Sequence, residues 1–160
     1  MKMDVIEIIH KLQLKAHPEG GYYRETYRSN DSTTNSKGEV RNYSTAIYYL
    51  LENENKSHFH RIQSEELWFF HQGQTLEICL IRDDEIVSIF LGNDIESGEV
   101  PQAIIPANCW FASSIKNGLG YSLVSCTVAP GFDFSDFELG ERVTLIEQYP
   151  GLKNVIEKYT

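Results

Sequence analysis

Val5, Ile8, Ile9 and Leu12 recur at helical spacing behind Asp4, which predicts a short N-terminal helix capped by Asp4 with one face against a sheet. Pro18 and the pair Gly20-Gly21 then break it. Beyond Gly21 the period shortens to two. YYRETYRS, STAIYYLL, EELWFFHQG, TLEICLIRD, EIVSIFLG, QAIIP, CWFASS and GYSLVSCTVAP are short runs rich in β-branched and aromatic residues, with Gly, Asn, Asp or Pro between many of them. Eight such runs predict an all-β barrel or sandwich. Asp83-Asp84 is a short enough step for a hairpin. The polar stretch from Asn30 to Tyr43 reads as a loop, either a lid, a partner contact or a plain surface excursion. Helical character returns from Leu139 to Thr160, where Val143, Ile146, Leu152, Val155 and Ile156 predict a helical cap on the barrel.

Length and charge narrow the picture. The 160 residues suit a single domain over 1–160, and 41% hydrophobic content is enough for one core. A net charge of −9, with fourteen Lys and Arg scattered along the chain, argues against nucleic acid as a partner. Asp4, Glu7, His10 and Lys11 interrupt the N-terminal apolar residues, and no later run approaches ~18 apolar residues, so neither an export signal nor a membrane span is expected. Cys79, Cys109 and Cys126 are odd in number, lack CxxC spacing and lie in apolar runs, which points to a reducing, cytoplasmic setting.

Candidate chemistry concentrates in SHFHRIQSEELWFFHQG. On a strand, residues two apart share a face, so His58 and His60 are expected side by side with Phe59 turned away. After a turn at 61–64, Glu66, Trp68 and Phe70 share one face and Glu65, Leu67, Phe69 and His71 the other, so one glutamate only points at the histidines. Two imidazoles and a carboxylate suit a divalent metal with open positions, which makes His58, His60 and Glu66 candidate ligands for Fe, Mn, Ni or Zn. Without metal, a histidine beside a carboxylate can move a proton near neutral pH.

HFHRIQSEELWFFHQG resembles the first cupin motif, in which HxH is followed by a Glu and then, after six residues, by a Gly; that count selects Glu66 over Glu65. VPQAIIPANCWFAS resembles the second motif. From HPEGGYYRETYRS to LVSCTVAPGFDFSDFEL the chain is similar to a small cupin family of unknown function (cupin type five), related to the sugar-nucleotide 3,5-epimerase cupins. The resemblance implies a double-stranded β-helix, a jelly-roll barrel with one internal small-molecule pocket, and a homodimer. It departs from the general pattern where a third imidazole ligand is expected, since Phe111 stands there. The epimerase relatives imply His60 as general base, oriented by Glu66, with a tyrosine acid drawn from Tyr48, Tyr49 or Tyr121.

Other expectations follow from position. Trp68 shares the face of Glu66 and would wall a pocket, with Phe111 beside it. Arg24 reads as an anion hook at the barrel mouth or as one member of an exposed ion pair, and Gln102 as a ligand-binding amide. Trp110 reads as core, His71 as a hydrogen-bonded or surface residue, and His10 and His17 as surface and turn residues. Phe132, Phe134 and Phe137 are expected to pack over one end of the barrel. Three functions compete: an isomerase or epimerase acting on a small polar, sugar-like or anionic molecule, a metal-dependent oxygenase or decarboxylase, and a binding module without chemistry.

Overall fold

The computed structural model describes residues 4–160, which form two antiparallel sheets face to face, with helices on their outer surfaces. Helix α1 (Val5–Lys11) starts at Asp4 in a reciprocal capping box: the Asp4 carboxylate accepts from the Glu7 amide and Glu7 accepts from that of Asp4. One sheet runs β1 (Lys15–Ala16), β2 (Tyr22–Arg28), β5 (Thr45–Glu52), β12 (Tyr121–Ala129), β7 (Glu65–Gly73), β10 (Gln102–Ile105). The other runs β13 (Phe137–Leu139), β6 (Lys56–Ile62), β11 (Phe111–Ile115), β8 (Leu76–Arg82), β9 (Glu85–Leu91). This is the expected double-stranded β-helix, and each of the eight strand-like runs contributes a strand. Asp83 and Asp84, both at positive φ, turn the β8–β9 hairpin.

Alternation along the strands sorts the apolar residues into three groups. Between the sheets lie Tyr49, Leu51, Trp68, Ile78, Leu80, Ile105, Phe111, Val124 and Cys126. Phe59, Trp110 and Ala112 on the outer face of the five-stranded sheet pack under α2 (Arg142–Gln148) and α3 (Lys153–Lys158), which supply Leu145 and Ile156, with Tyr159 just past the end of α3. Ile8 and Leu14 cover Leu50 on the outside of the six-stranded sheet. The helical cap is thus as expected except at Val143, which is 69% exposed; Leu145, Ile146 and Tyr149 share the buried face at helical spacing, and Val143 lies off it.

The polar stretch 30–43 is not a bare loop. It folds into a hairpin, β3 (Ser32–Thr34) and β4 (Val40–Asn42), and Arg41 on β4 reaches Asp136 with Nε to Oδ2 at 2.7 Å and Nη2 to Oδ1 at 2.8 Å. Asp136 belongs to the Phe-rich segment 132–137, and the bidentate geometry makes this a directional bond as well as a charge pair. Arg28 donates to the Phe132 carbonyl and Thr45 Oγ1 accepts from the Phe132 amide, so that segment is held at three points. Arg41→Ala is expected to release the strap, raising amide hydrogen exchange at Ser135 and Asp136 while β12 stays protected; unchanged exchange at 135–136 would show that the bond restrains nothing.

Candidate active site

Between the sheets, at the end roofed by 132–137, lies a cavity of about 360 Å³. Its walls are largely apolar and aromatic: Tyr23, Ile47, Tyr49, Ile62, Trp68, Val128 and the rings of Phe132, Phe134 and Phe137. Into it project His17, Glu19, His60, Glu66 and Cys126, while Lys15, Glu25, Arg28 and Asp133 also border it.

Glu19 and His17 come from the HPEGG turn. The His17 amide donates to the Gly21 carbonyl and the Gly20 amide to that of His17, so the turn closes on itself. Gly20 and Gly21 sit at φ +108 and +74, and a Cβ at Gly20 would stand 1.9 Å from the Lys56 carbonyl oxygen, so only glycine lets the turn lie against β6. The turn that ends the helical segment therefore also delivers an acid and an imidazole into the barrel.

His60 and Glu19 are bonded, Nε2 to Oε2 at 2.8 Å, and both are buried. The other ring nitrogen, Nδ1, lies 2.8 Å from the His58 carbonyl, which can only accept, so Nδ1 carries a hydrogen. Burial opposes charge on His60, but the Glu19 carboxylate, the His58 carbonyl and Glu66 together raise its pKa above the ordinary imidazole value. Burial likewise opposes charge on Glu19, and His60 overcomes it, holding the carboxyl below its ordinary value. The pair is an imidazolium and a carboxylate with both ring nitrogens committed.

Glu66 projects from the start of β7 while Glu65 is exposed, as the spacing predicts. Burial first, and the Glu19 charge second, push its pKa up to about 7. Trp68, on the same face and 1% exposed, directs an indole N–H that finds no hydrogen-bond partner. Tyr49 alone of the three candidate tyrosines lines the cavity; its hydroxyl donates to the Gly20 carbonyl at 2.6 Å, and burial with the nearby Glu19 charge raises its pKa well above the ordinary phenol value. Tyr48 and Tyr121 pack outside, in the cluster around α1.

Several expected site residues lie elsewhere. His58 does not stand beside His60. Phe111 pairs with His60 and Ser113 with Ser57, so β6 spends three residues where β11 spends two; this bulge puts Ser57 on the inner face with His60 and turns His58 away. His58 instead clamps the turn, its Nδ1 donating to the Glu19 carbonyl at 2.9 Å. Phe111 is fully buried beneath His60, with ring centroids 4.1 Å apart, and supports that imidazole rather than lining the cavity. Arg24 is on the outer face of β2, bonded to Gln13 and over the Tyr48 ring, because Tyr23 and Glu25 take the inner face; the cation found beside the cavity on that strand is Arg28. Gln102 is exposed, since Ala103 and Ile105 are the inward residues of β10. His71 bonds Ser125 at an exposed position, and Trp110 packs under the helical cap, both as expected.

The metal set His58, His60 and Glu66 consequently does not assemble: the bulge removes the first, Glu19 and a carbonyl occupy the second, and a phenyl ring stands where a further imidazole is needed. Among the described residues no group of three or more His, Cys, Asp or Glu is arranged to hold an ion.

A family model described as "Cupin superfamily (DUF985)" matches residues 6–140. The chain belongs to this family. It is similar to an uncharacterized protein of Saccharomyces cerevisiae, YML079W, at 33% identity over 81% of this chain and 72% of that one. Two solved structures superpose over nearly the whole chain: a hypothetical protein from Leishmania major, with TM-score 0.94 and 37% identity over 99% of both chains, and protein SO0799 from Shewanella oneidensis, with TM-score 0.91 and 40% identity over 99% of this chain and 98% of that one. The cupin enzyme oxalate decarboxylase from Bacillus subtilis, at 11% identity and TM-score 0.54 over 91% of this chain and 36% of that one, shares the fold alone. No described helix is long and apolar enough to cross a membrane.

Proposed function

We propose that the cavity of this cupin binds a small polar, hydroxyl-bearing molecule and moves a proton on a carbon beside its carbonyl group, an isomerase- or epimerase-type reaction, with Glu66 as the group that takes and returns the proton. The observation that carries this reading is a buried carboxyl with a pKa of about 7 facing a cavity of about 360 Å³. Such a group is present in both forms at neutral pH, the condition under which general acid–base catalysis is most effective. His60, expected as the base, has no free lone pair; as a fixed imidazolium it holds Glu19 in place and offsets the negative charge that Glu66 gains on ionising.

The walls bear on the ligand class. Tyr23, Trp68 and Phe134 offer flat faces for the C–H surface of a sugar-like molecule, and two carboxyl groups accept from its hydroxyls. Those carboxyl groups disfavour a free anion deep in the cavity, so an acidic substituent would lie toward Lys15 and Arg28. The homodimer expected from the family is part of the proposal: a second copy would cover the outer face of the six-stranded sheet, where Leu67 and Phe69 are half-buried and Ile104 is exposed, without entering the cavity.

The test is proton exchange. With a panel of hydroxyaldehydes and hydroxyketones in D2O, the protein is expected to speed loss of the α-proton signal in ¹H NMR, and Glu66→Gln to slow it by about 10²–10⁴-fold. Tight binding of a panel member with no exchange at any carbon would make the cavity a binding module instead.

A further inference from the structure

We infer that His17 is a second working group of the cavity: a neutral imidazole whose Nε2–H donates to the carbonyl oxygen of the bound molecule. The inference rests on the reading of Glu66 given above and names the electrophile that such a reaction requires. Removing a proton beside a carbonyl leaves the electron pair as an enolate, whose oxygen must be met by a donor already in place.

Geometry sets the tautomer. The Glu19 backbone amide donates to His17 Nδ1 at 3.2 Å, which requires a lone pair on Nδ1 and leaves the hydrogen on Nε2. The His17 side chain is 7% exposed and lines the cavity. Tyr23 meets the ring edge to face at a centroid distance of 4.4 Å, and Tyr49, Phe137 and Phe134 follow at 6.0, 6.1 and 6.3 Å. None of these rings accepts a conventional hydrogen bond from Nε2, and among the described residues that nitrogen has no protein partner. Burial pushes the His17 pKa down; Glu19 opposes this, and the charges of His60 and Lys15 support it. The ring is therefore uncharged at neutral pH, the state in which an imidazole polarises a carbonyl without surrendering a proton to solvent.

Three of the other donor groups in or beside the cavity are already committed. Both N–H groups of His60 serve Glu19 and the His58 carbonyl, the Tyr49 hydroxyl serves the Gly20 carbonyl, and Arg28 serves Glu25, Asn42 and the Phe132 carbonyl. The Trp68 N–H, which has no partner, lies on the Glu66 face of β7, and Lys15 sits over the Tyr23 ring at the edge of the cavity. The proposed step then balances: the proton passes from carbon to the Glu66 carboxylate, the C–H electron pair becomes the enolate, His17 donates a hydrogen bond to the oxygen, and Glu66 returns the proton to carbon.

Acetohydroxamic acid, a small neutral mimic of an enediol, is the probe. In ¹⁵N-resolved NMR of the free protein, His17 is expected to show protonated Nε2 and bare Nδ1 throughout the neutral range, and the probe to shift the Nε2 signal. His17→Phe is expected to weaken probe binding about tenfold, whereas His17→Gln, which restores an N–H, recovers most of it. A hydrogen found on Nδ1, or probe affinity that falls in Glu66→Gln but not in His17→Phe, overturns the role of His17 alone. A probe that fails to bind the wild-type protein at millimolar concentration overturns this inference and the reading of Glu66 together.

Discussion

Glu19→Ala is expected to remove about 3–5 kcal/mol of stability near pH 6, because it strands a buried imidazolium that has no other acid within bonding distance. The pH dependence identifies the cause. Glu19 is held below its ordinary value of 4.5, so its contribution is present above 4.5 and is lost as pH falls through the lower folded value. His60 is raised above its ordinary 6.5, so its contribution is present below 6.5 and is lost as pH rises through the higher folded value. The difference between wild type and Glu19→Ala, measured by urea unfolding, should therefore be greatest between 4.5 and 6.5 and shrink on either side. Adding His60→Phe should recover part of the loss by removing the stranded charge. A loss below ~1 kcal/mol across that window would mean that the pair is solvated and behaves as a surface ion pair.

Glu66→Gln has the opposite sign. The displacement of Glu66 from 4.5 to about 7 corresponds to about 3 kcal/mol of stability that is present below 4.5 and lost as pH rises through 7, since the unfolded chain ionises first. A neutral glutamine has no such loss. The variant should unfold like wild type in acid and be more stable than wild type by up to about 3 kcal/mol above neutrality. Together with the loss of proton exchange, this would mark Glu66 as a group kept at the expense of stability, the usual relation at an active centre. Parallel stability curves for the two proteins from acid to alkaline pH would show that Glu66 is not desolvated and would remove the basis for its role in proton transfer.

Much of the fold is legible along the chain because strand alternation and turn chemistry are local. Each of the eight aromatic and β-branched runs became a strand, Asp83-Asp84 became a turn, and Asp4 capped the first helix. Counting along the motif also chose Glu66 over Glu65, and strand periodicity put Trp68 beside it. The sheet hairpin at 32–42 was missed because its strands are three residues each and polar, and it is held by long-range bonds such as Arg41 to Asp136.

The site was less legible, and the failures share a cause. Period-two reasoning assumes an unbroken strand, and one extra residue in β6 exchanges His58 for Ser57 on the inner face. A face assignment says which residues share a side, not which side is inward, so Arg24 and Gln102 fell on the outer surface. Glu19 carried one signal in the sequence, an acidic residue directly before a glycine pair, but its partner lies 41 positions away and only the folded chain brings them together.

Local sequence was thus sufficient for the strands and the turns, since these depend on neighbours a few residues apart, while the choice of Glu66 as the inward acid came from the motif resemblance. Tertiary structure alone decided that His60 is a charged partner of Glu19, that Glu66 titrates near neutrality and that His17 is held as a neutral donor. Each of those states is set by burial and by charges from distant strands and turns, and the electrostatic surroundings of a group exist only once the chain has closed around it.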